Sequence, residues 1–246
     1  VLLGEGDLSL GPGASQPEPN GWRPLASGDA QLDRLWRLDQ RTDAWERWRT
    51  ASGGHPPQGN PERLVEGRLR QGVGDDWTGM ALLELATLRL TPQQCGLFPE
   101  LQRSLHPLRF EPAFNAAAER QQLPESLLLG VAKQESRFSP SVRSVAGAVG
   151  LMQVLPRTWK EWAPAVDIND PFDAYSNVLV AGIYLDHLRS TLSRSGYPEA
   201  RWMLVAYNWG PDKLITFLTE GNGWDDLPDR VSRYADDVLR IAKSIP

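Results

Sequence analysis

One cysteine in 246 residues, Cys95, leaves the chain without an internal disulfide or an all-cysteine metal site. A lone cysteine of this kind is expected to be a small buried hydrophobe rather than a nucleophile. Histidine is nearly as scarce. His55 lies in a proline-rich loop, His106 before a proline and His187 in a helical stretch, and without a paired i, i+4 spacing they form no recognisable zinc site. No apolar run approaches the roughly 20 residues needed to span a bilayer. Charge of one sign is lacking as well: 26 Lys+Arg against 31 Asp+Glu give a net charge of −5. Divided after Leu123, the chain carries 13 basic and 16 acidic residues, then 13 and 15, so neither half is a basic nucleic-acid module. No basic segment leads into an apolar one after Val1. With neither export signal nor membrane anchor visible, the compartment has to be read from function.

Tryptophan is plentiful, with ten in the chain, five of them (Trp22, Trp36, Trp45, Trp48 and Trp77) in its N-terminal part. Trp is both a core filler and a sugar-stacking platform, so the count alone decides nothing. Residues 1–27 are rich in Gly and Pro without periodicity and read as a mobile or extended arm. From Gly28 to about Thr50 a helical pattern carries Leu32, Leu35 and Trp36 on one face, with Trp45 and Trp48 continuing it. Asn60-Pro61 is a cap followed by a helix-starting proline. Helices follow through Leu64, Val65 and Leu69, and from about Asp76 to Leu90, with Met80, Leu83 and Leu90 on the buried side. Residues 28–106 thus read as short helical hairpins, and residues 107–246 as a second, nearly all-helical domain. That domain opens with a helix near Glu111 to Gln121, and its core helix carries Val178, Ala181, Leu185, Leu188 and Leu192 at steps of three and four.

The stretch from Pro124 to Ser136 carries the chemistry. Pro124 suits a helix start, Leu127, Leu128, Val131 and Ala132 form the apolar stripe, and the i+3/i+4 rule extends that stripe to Glu135. A carboxylate on a buried face has two readings. It can fray outward or pair with Arg137 or Arg143, or it can be desolvated, which raises its pKa toward what a general acid near neutral pH needs. Further on stand Gly147-Ala148-Val149-Gly150-Leu151-Met152-Gln153, whose glycines suit a loop or small hairpin lining a cleft, and Ala206-Tyr207-Asn208.

Glu135-Ser136, Gly150-Leu151-Met152-Gln153 and Ala206-Tyr207-Asn208, in that order, resemble the three motifs of the soluble lytic transglycosylases, lysozyme-like enzymes that cut bacterial peptidoglycan. The resemblance implies a mainly α fold, with a lysozyme-like catalytic domain preceded by the tail of an α-superhelical array. It implies cleavage of the β-1,4 bond between N-acetylmuramic acid and N-acetylglucosamine, with formation of a 1,6-anhydro ring. One glutamate, Glu135, would act as acid and then as base, with no metal or organic cofactor. Tyr207 would place its hydroxyl near Glu135. Ser144, Met152, Gln153, Asn208 and Tyr234 would meet the substrate or shape the cleft, while Ser136 would orient the loop through backbone groups. For Tyr207 and Tyr234, packing at a helix end or in the helix core is the competing reading. The family commonly carries a glutamate shortly before the tyrosine matched by Tyr234; here the run is Pro228-Asp229-Arg230-Val231-Ser232-Arg233, which leaves the outer subsite and glycan preference open. The implied partners are peptidoglycan strands, with cell-wall proteins on the N-terminal helices, and the implied compartment is the periplasm or cell envelope. A lysozyme- or chitinase-type hydrolase and a non-catalytic peptidoglycan-binding scaffold are the alternatives.

Overall fold

The computed structural model describes residues 24–106, 110–166 and 170–245. Residues 1–23 of the Gly/Pro-rich arm, Trp22 among them, and the Pro107–Arg109 leader lie outside the described residues. Twelve α-helices and no strands are found among those described. None of these helices is long and apolar enough to cross a membrane.

The N-terminal part holds α1 (Ala30–Arg37), α2 (Arg41–Ala51), α3 (Asn60–Gly72), α4 (Asp76–Leu88) and α5 (Phe98–Ser104). The helical pattern expected from Gly28 to Thr50 is broken in two, because Asp39 adopts φ +60° and the chain turns between Trp36 and Arg41. Trp36 and Leu32 from α1, Ala44 from α2, and Val65 and Leu69 from α3 close a small core. Leu25 reaches back into that core, so the end of the arm is packed there. Arg68 adds a hydrogen bond to the Pro24 carbonyl. Asn60, expected as a cap, is instead the first helical residue and is buried. Its amide donates to the Arg89 carbonyl and to Gln94 Oε1, both at 2.8 Å, and so ties the start of α3 to the chain beyond α4. Cys95 also departs from expectation, being exposed. Proline at the start of Pro92–Leu97 favours a short 3₁₀ turn, none of whose residues is buried.

The second part holds α6 (Glu111–Gln121), α7 (Glu125–Ser136), α8 (Pro156–Trp162), α9 (Ala174–Arg194), α10 (Ala200–Trp209), α11 (Pro211–Thr219) and α12 (Asp229–Ser244). The apolar steps of α9 are buried as their spacing requires, from Val178 through Leu192. Helices α6 and α10 pack on α9, and α12 packs on α7 and α10. One hydrophobic cluster runs from Leu64, Met80, Leu83 and Leu101 through Phe114, Leu128 and Val131 to Leu185, Val205 and Val238, so apolar contact is continuous across His106.

Close approach of α7 and α12 rests on Gly130. A Cβ there would lie 2.8 Å from the Val238 carbonyl oxygen, so only the missing side chain lets the two antiparallel helices come this near. A mid-helix glycine costs roughly 0.5–1 kcal/mol relative to alanine. In return, Tyr234, one turn before Val238, is brought against Glu135.

Candidate active site

Glu135 sits in the last turn of α7, half-buried, where the i+4 step from Val131 places it. Tyr234 on α12 donates its hydroxyl to Glu135 Oε1 at 2.6 Å, while Oε2 has no hydrogen-bond partner among the described residues. Burial pushes the carboxyl up to about 7, against the lowering effect of the Tyr234 hydrogen bond. No second carboxylate contributes to that shift. The hydroxyls of Tyr207 and Tyr234 are held well above the usual tyrosine range, by burial first and then by the Glu135 charge, so both stay neutral donors.

The competing ion-pair readings of Glu135 are not what forms. Arg137 pairs with Glu84 of α4 at 3.5 Å and lies over the Trp77 ring, and Arg143 lies 5.7 Å from the Phe172 ring. Arg137 and Phe138 both take left-handed backbone, with φ +51° and +61°, which ends α7 immediately after the Glu-Ser pair. Phe138 then turns inward, fully buried and edge-on to Phe114.

The Gly-Leu-Met-Gln segment is held by three helices. From α7, the buried Ser136 hydroxyl donates to the Leu151 carbonyl at 2.7 Å. From α10, the Tyr207 hydroxyl donates to the Met152 carbonyl at 2.7 Å. From α9, Asn177 accepts from Met152 N–H at 2.8 Å and donates to the Val149 and Pro171 carbonyls. The small hairpin expected near residues 144–153 exists as two isolated bridges, Arg143 with Val149 and Val149 with Val154. Gly150, at φ +79°, packs directly on Asn177; a Cβ would approach Asn177 Cγ to 2.6 Å.

The expected site residues therefore divide by what they touch. Glu135 and Tyr234 are hydrogen-bonded to each other. Tyr207 bonds Met152 rather than Glu135, and Met152 is fully buried behind the loop. Gln153, at φ +49°, spends its amide on the Val142 and Gly150 carbonyls, both at 3.0 Å, and presents its remaining surface to the cleft. Ser144 accepts from Ala148 N–H at 3.0 Å and closes the tip of the loop. Asn208 is exposed on the cleft wall, and Asp229 is exposed in the first turn of α12.

A cleft of about 570 Å³ opens beside Gln153 and Tyr207. Its wall is an aromatic series: Trp162 to Tyr184 at 6.3 Å, and Tyr184 to Tyr207 at 5.8 Å between ring centroids. His187 lies against Trp162 at the surface, with ring centroids 4.8 Å apart and planes tilted by 45°. Arg157, Glu161, Asp212 and Lys213 complete the rim. Sequence reasoning passed over Tyr184 and Asn177. Both lie on α9 beside its apolar stripe, and a buried amide four residues before Ala181 is a polar group that has to find partners.

Residues 112–222 match the family model of the transglycosylase SLT domain. Over 144 residues the chain is 48% identical to the membrane-bound lytic murein transglycosylase C of Histophilus somni, covering 54% of this chain and 39% of the relative. Over 123 residues it is 31% identical to a soluble lytic murein transglycosylase of Haemophilus influenzae, covering 48% of this chain and 20% of the relative. The chain thus spans well under half of these curated relatives. Its fold is that of the 70 kDa soluble lytic transglycosylase of Escherichia coli, with a TM-score of 0.60 at 20% identity over 88% of this chain and 34% of that one.

Proposed function

We propose that the chain is a lytic transglycosylase of peptidoglycan, cleaving the β-1,4 bond between N-acetylmuramic acid and N-acetylglucosamine by a single-glutamate mechanism. The observation that carries the reading is Glu135, whose carboxyl is pushed by burial to about 7 and steadied by Tyr234 at 2.6 Å. A group titrating there is present in both protonation states near neutral pH, which suits a residue that must donate and then accept.

In the first step the protonated carboxyl gives its proton to the glycosidic oxygen, and the bond to C1 of the muramic sugar breaks. The developing oxocarbenium-like charge is stabilised by the sugar's own 2-acetamido group. In the second step the Glu135 carboxylate takes the proton of the C6 hydroxyl, whose oxygen bonds to C1 and closes the anhydro ring. Water is not consumed, and Glu135 ends as it began. The Tyr234 hydrogen bond fixes one carboxyl oxygen and leaves Oε2 to serve the substrate. Tyr207 acts one step removed, as a positioning residue that pins the Met152 carbonyl and with it the loop bearing Gln153. An inverting hydrolase needs a second carboxylate about 6.5–9.5 Å from the first and a retaining one about 5–5.5 Å. Among the described residues no carboxylate hydrogen-bonds Glu135, and the products of digestion separate the lyase from either hydrolase.

Purified peptidoglycan digested with the wild type and with Glu135→Gln, followed by mass spectrometry, tests this. Anhydromuropeptides from the wild type alone support the proposal. Reducing-end products point to a hydrolase, and no products from either protein point to a binding scaffold.

A further inference from the structure

The cleft does not end where the motif residues end. Trp209 directly follows the Ala-Tyr-Asn motif, at the last position of α10 before Gly210 turns the chain at φ +101°. Its half-buried ring lines the 570 Å³ cleft on one side and an adjoining, shallower depression of about 390 Å³ on the other. Asp212 and Lys213 belong to both, so the two are one groove with Trp209 at the seam. Phe217 meets the indole edge-on, with centroids 5.6 Å apart and planes at 76°, and fixes its orientation.

Polar and charged side chains open to solvent surround this ring. Asp212, Lys213, Thr216 and Glu220 are all exposed. Lys213 forms no ion pair among the described residues, and neither does Asp212. An oriented aromatic face offers apolar contact to the C–H face of a pyranose, while carboxylates and an ammonium group supply acceptors and donors for hydroxyl and acetamido groups.

We infer that Trp209, set against Phe217 and ringed by Asp212, Lys213 and Glu220, is a saccharide platform that holds glycan units beyond those in the cleft beside Gln153 and Tyr207. The occupant is the same strand, because Trp209 lines both depressions and Asp212 and Lys213 run from one into the other, so a linear polymer lying in the cleft is continued by this groove. This rests on the glycan-cleaving reading of Glu135 and adds to it a preference for long strands. A platform of this kind makes affinity rise with strand length, since a short strand fills the cleft without reaching Trp209.

Calorimetric titration of the Glu135→Gln chain with peptide-free glycan strands of two and of four disaccharide units tests the inference. The longer strand is expected to bind about tenfold more tightly, and Trp209→Ala added to Glu135→Gln should abolish that gain. Trp209→Phe should keep most of it, which separates loss of the platform from loss of folding. Equal weakening of both lengths by Trp209→Ala, or an undiminished gain in it, overturns the platform. A gain that appears only when the strands carry their peptide stems also overturns it and makes the groove a peptide site. No binding of either length removes the functional reading itself, an outcome distinct from binding without a length gain.

Discussion

The raised carboxyl of Glu135 has a cost in stability that can be measured without substrate. In the unfolded chain the group has its ordinary pKa of 4.5, and in the folded protein it sits at about 7. Between those values the native state binds the proton more tightly, so stability is fully present below pH 4.5 and is lost as pH rises through 7. The gap of about 2.5 units, at 1.36 kcal/mol per unit, sets an upper value of about 3 kcal/mol, reduced to about 2 because the carboxyl keeps some contact with solvent. Glu135→Gln has the same shape and can still accept from Tyr234, but it cannot ionise. At pH 4 the variant and wild type should be nearly equal in stability, whereas at pH 8.5 the variant should be the more stable by about 2 kcal/mol. Urea titrations at both pH values read this directly, since every other titrating group is common to the two proteins and cancels. A stability difference that is the same at pH 4 and pH 8.5 would refute the desolvation argument, and with it the proposed source of the acid's proton affinity.

Tyr234→Phe removes a hydrogen bond that lowers the Glu135 pKa, and such a bond to an ionised group contributes about 1.5–3 kcal/mol. The pH–rate profile for peptidoglycan clearance should therefore move about 1–2 units toward alkaline pH; a lower rate with an unmoved profile would mean Tyr234 only packs. Gly150→Ala places a Cβ against Asn177 at a backbone φ of +79°, and Asn177 cannot retreat without releasing the Met152, Val149 and Pro171 backbone groups. A loss of about 2–4 kcal/mol is expected, seen as a melting point lower by roughly 5–15 °C in scanning calorimetry, together with loss of cleavage. A melting point within about 2 °C of wild type would show that the loop is not braced as described.

How much of this was legible in the sequence depends on how far each contact reaches along the chain. The placement of Glu135 follows from a step of four along one helix, and periodicity reads steps of that size well. The fold class and the helices Glu111–Gln121 and Ala174–Arg194 were legible for the same reason, each carrying its own apolar positions at steps of three and four. The division of labour between the two tyrosines was not. Tyr207 and Tyr234 lie far from Glu135 in sequence, and which hydroxyl meets the carboxylate is decided by how closely α7 and α12 approach. That approach is set by the single glycine at position 130, whose importance appears only when Val238 is seen opposite it.

Asn177 shows the same limit from the polar side. It reads as one amide at the start of a core helix, yet three of its hydrogen bonds run to residues 6, 25 and 28 positions away in sequence. Buried polar groups of this kind are required to have partners, but sequence does not say which. The motif residues nearest the chemistry divide accordingly. Glu135 keeps one oxygen without a hydrogen-bond partner among the described residues, while Ser136, Tyr207, Gln153 and the Met152 carbonyl are committed to one another and to the loop. A resemblance of motifs marks all of them alike, because replacing either the acid or its braces would abolish the same activity. Geometry separates them: titration of Glu135 should respond to Tyr234, which touches it, and the shape of the cleft to Tyr207 and Asn177, which hold its wall.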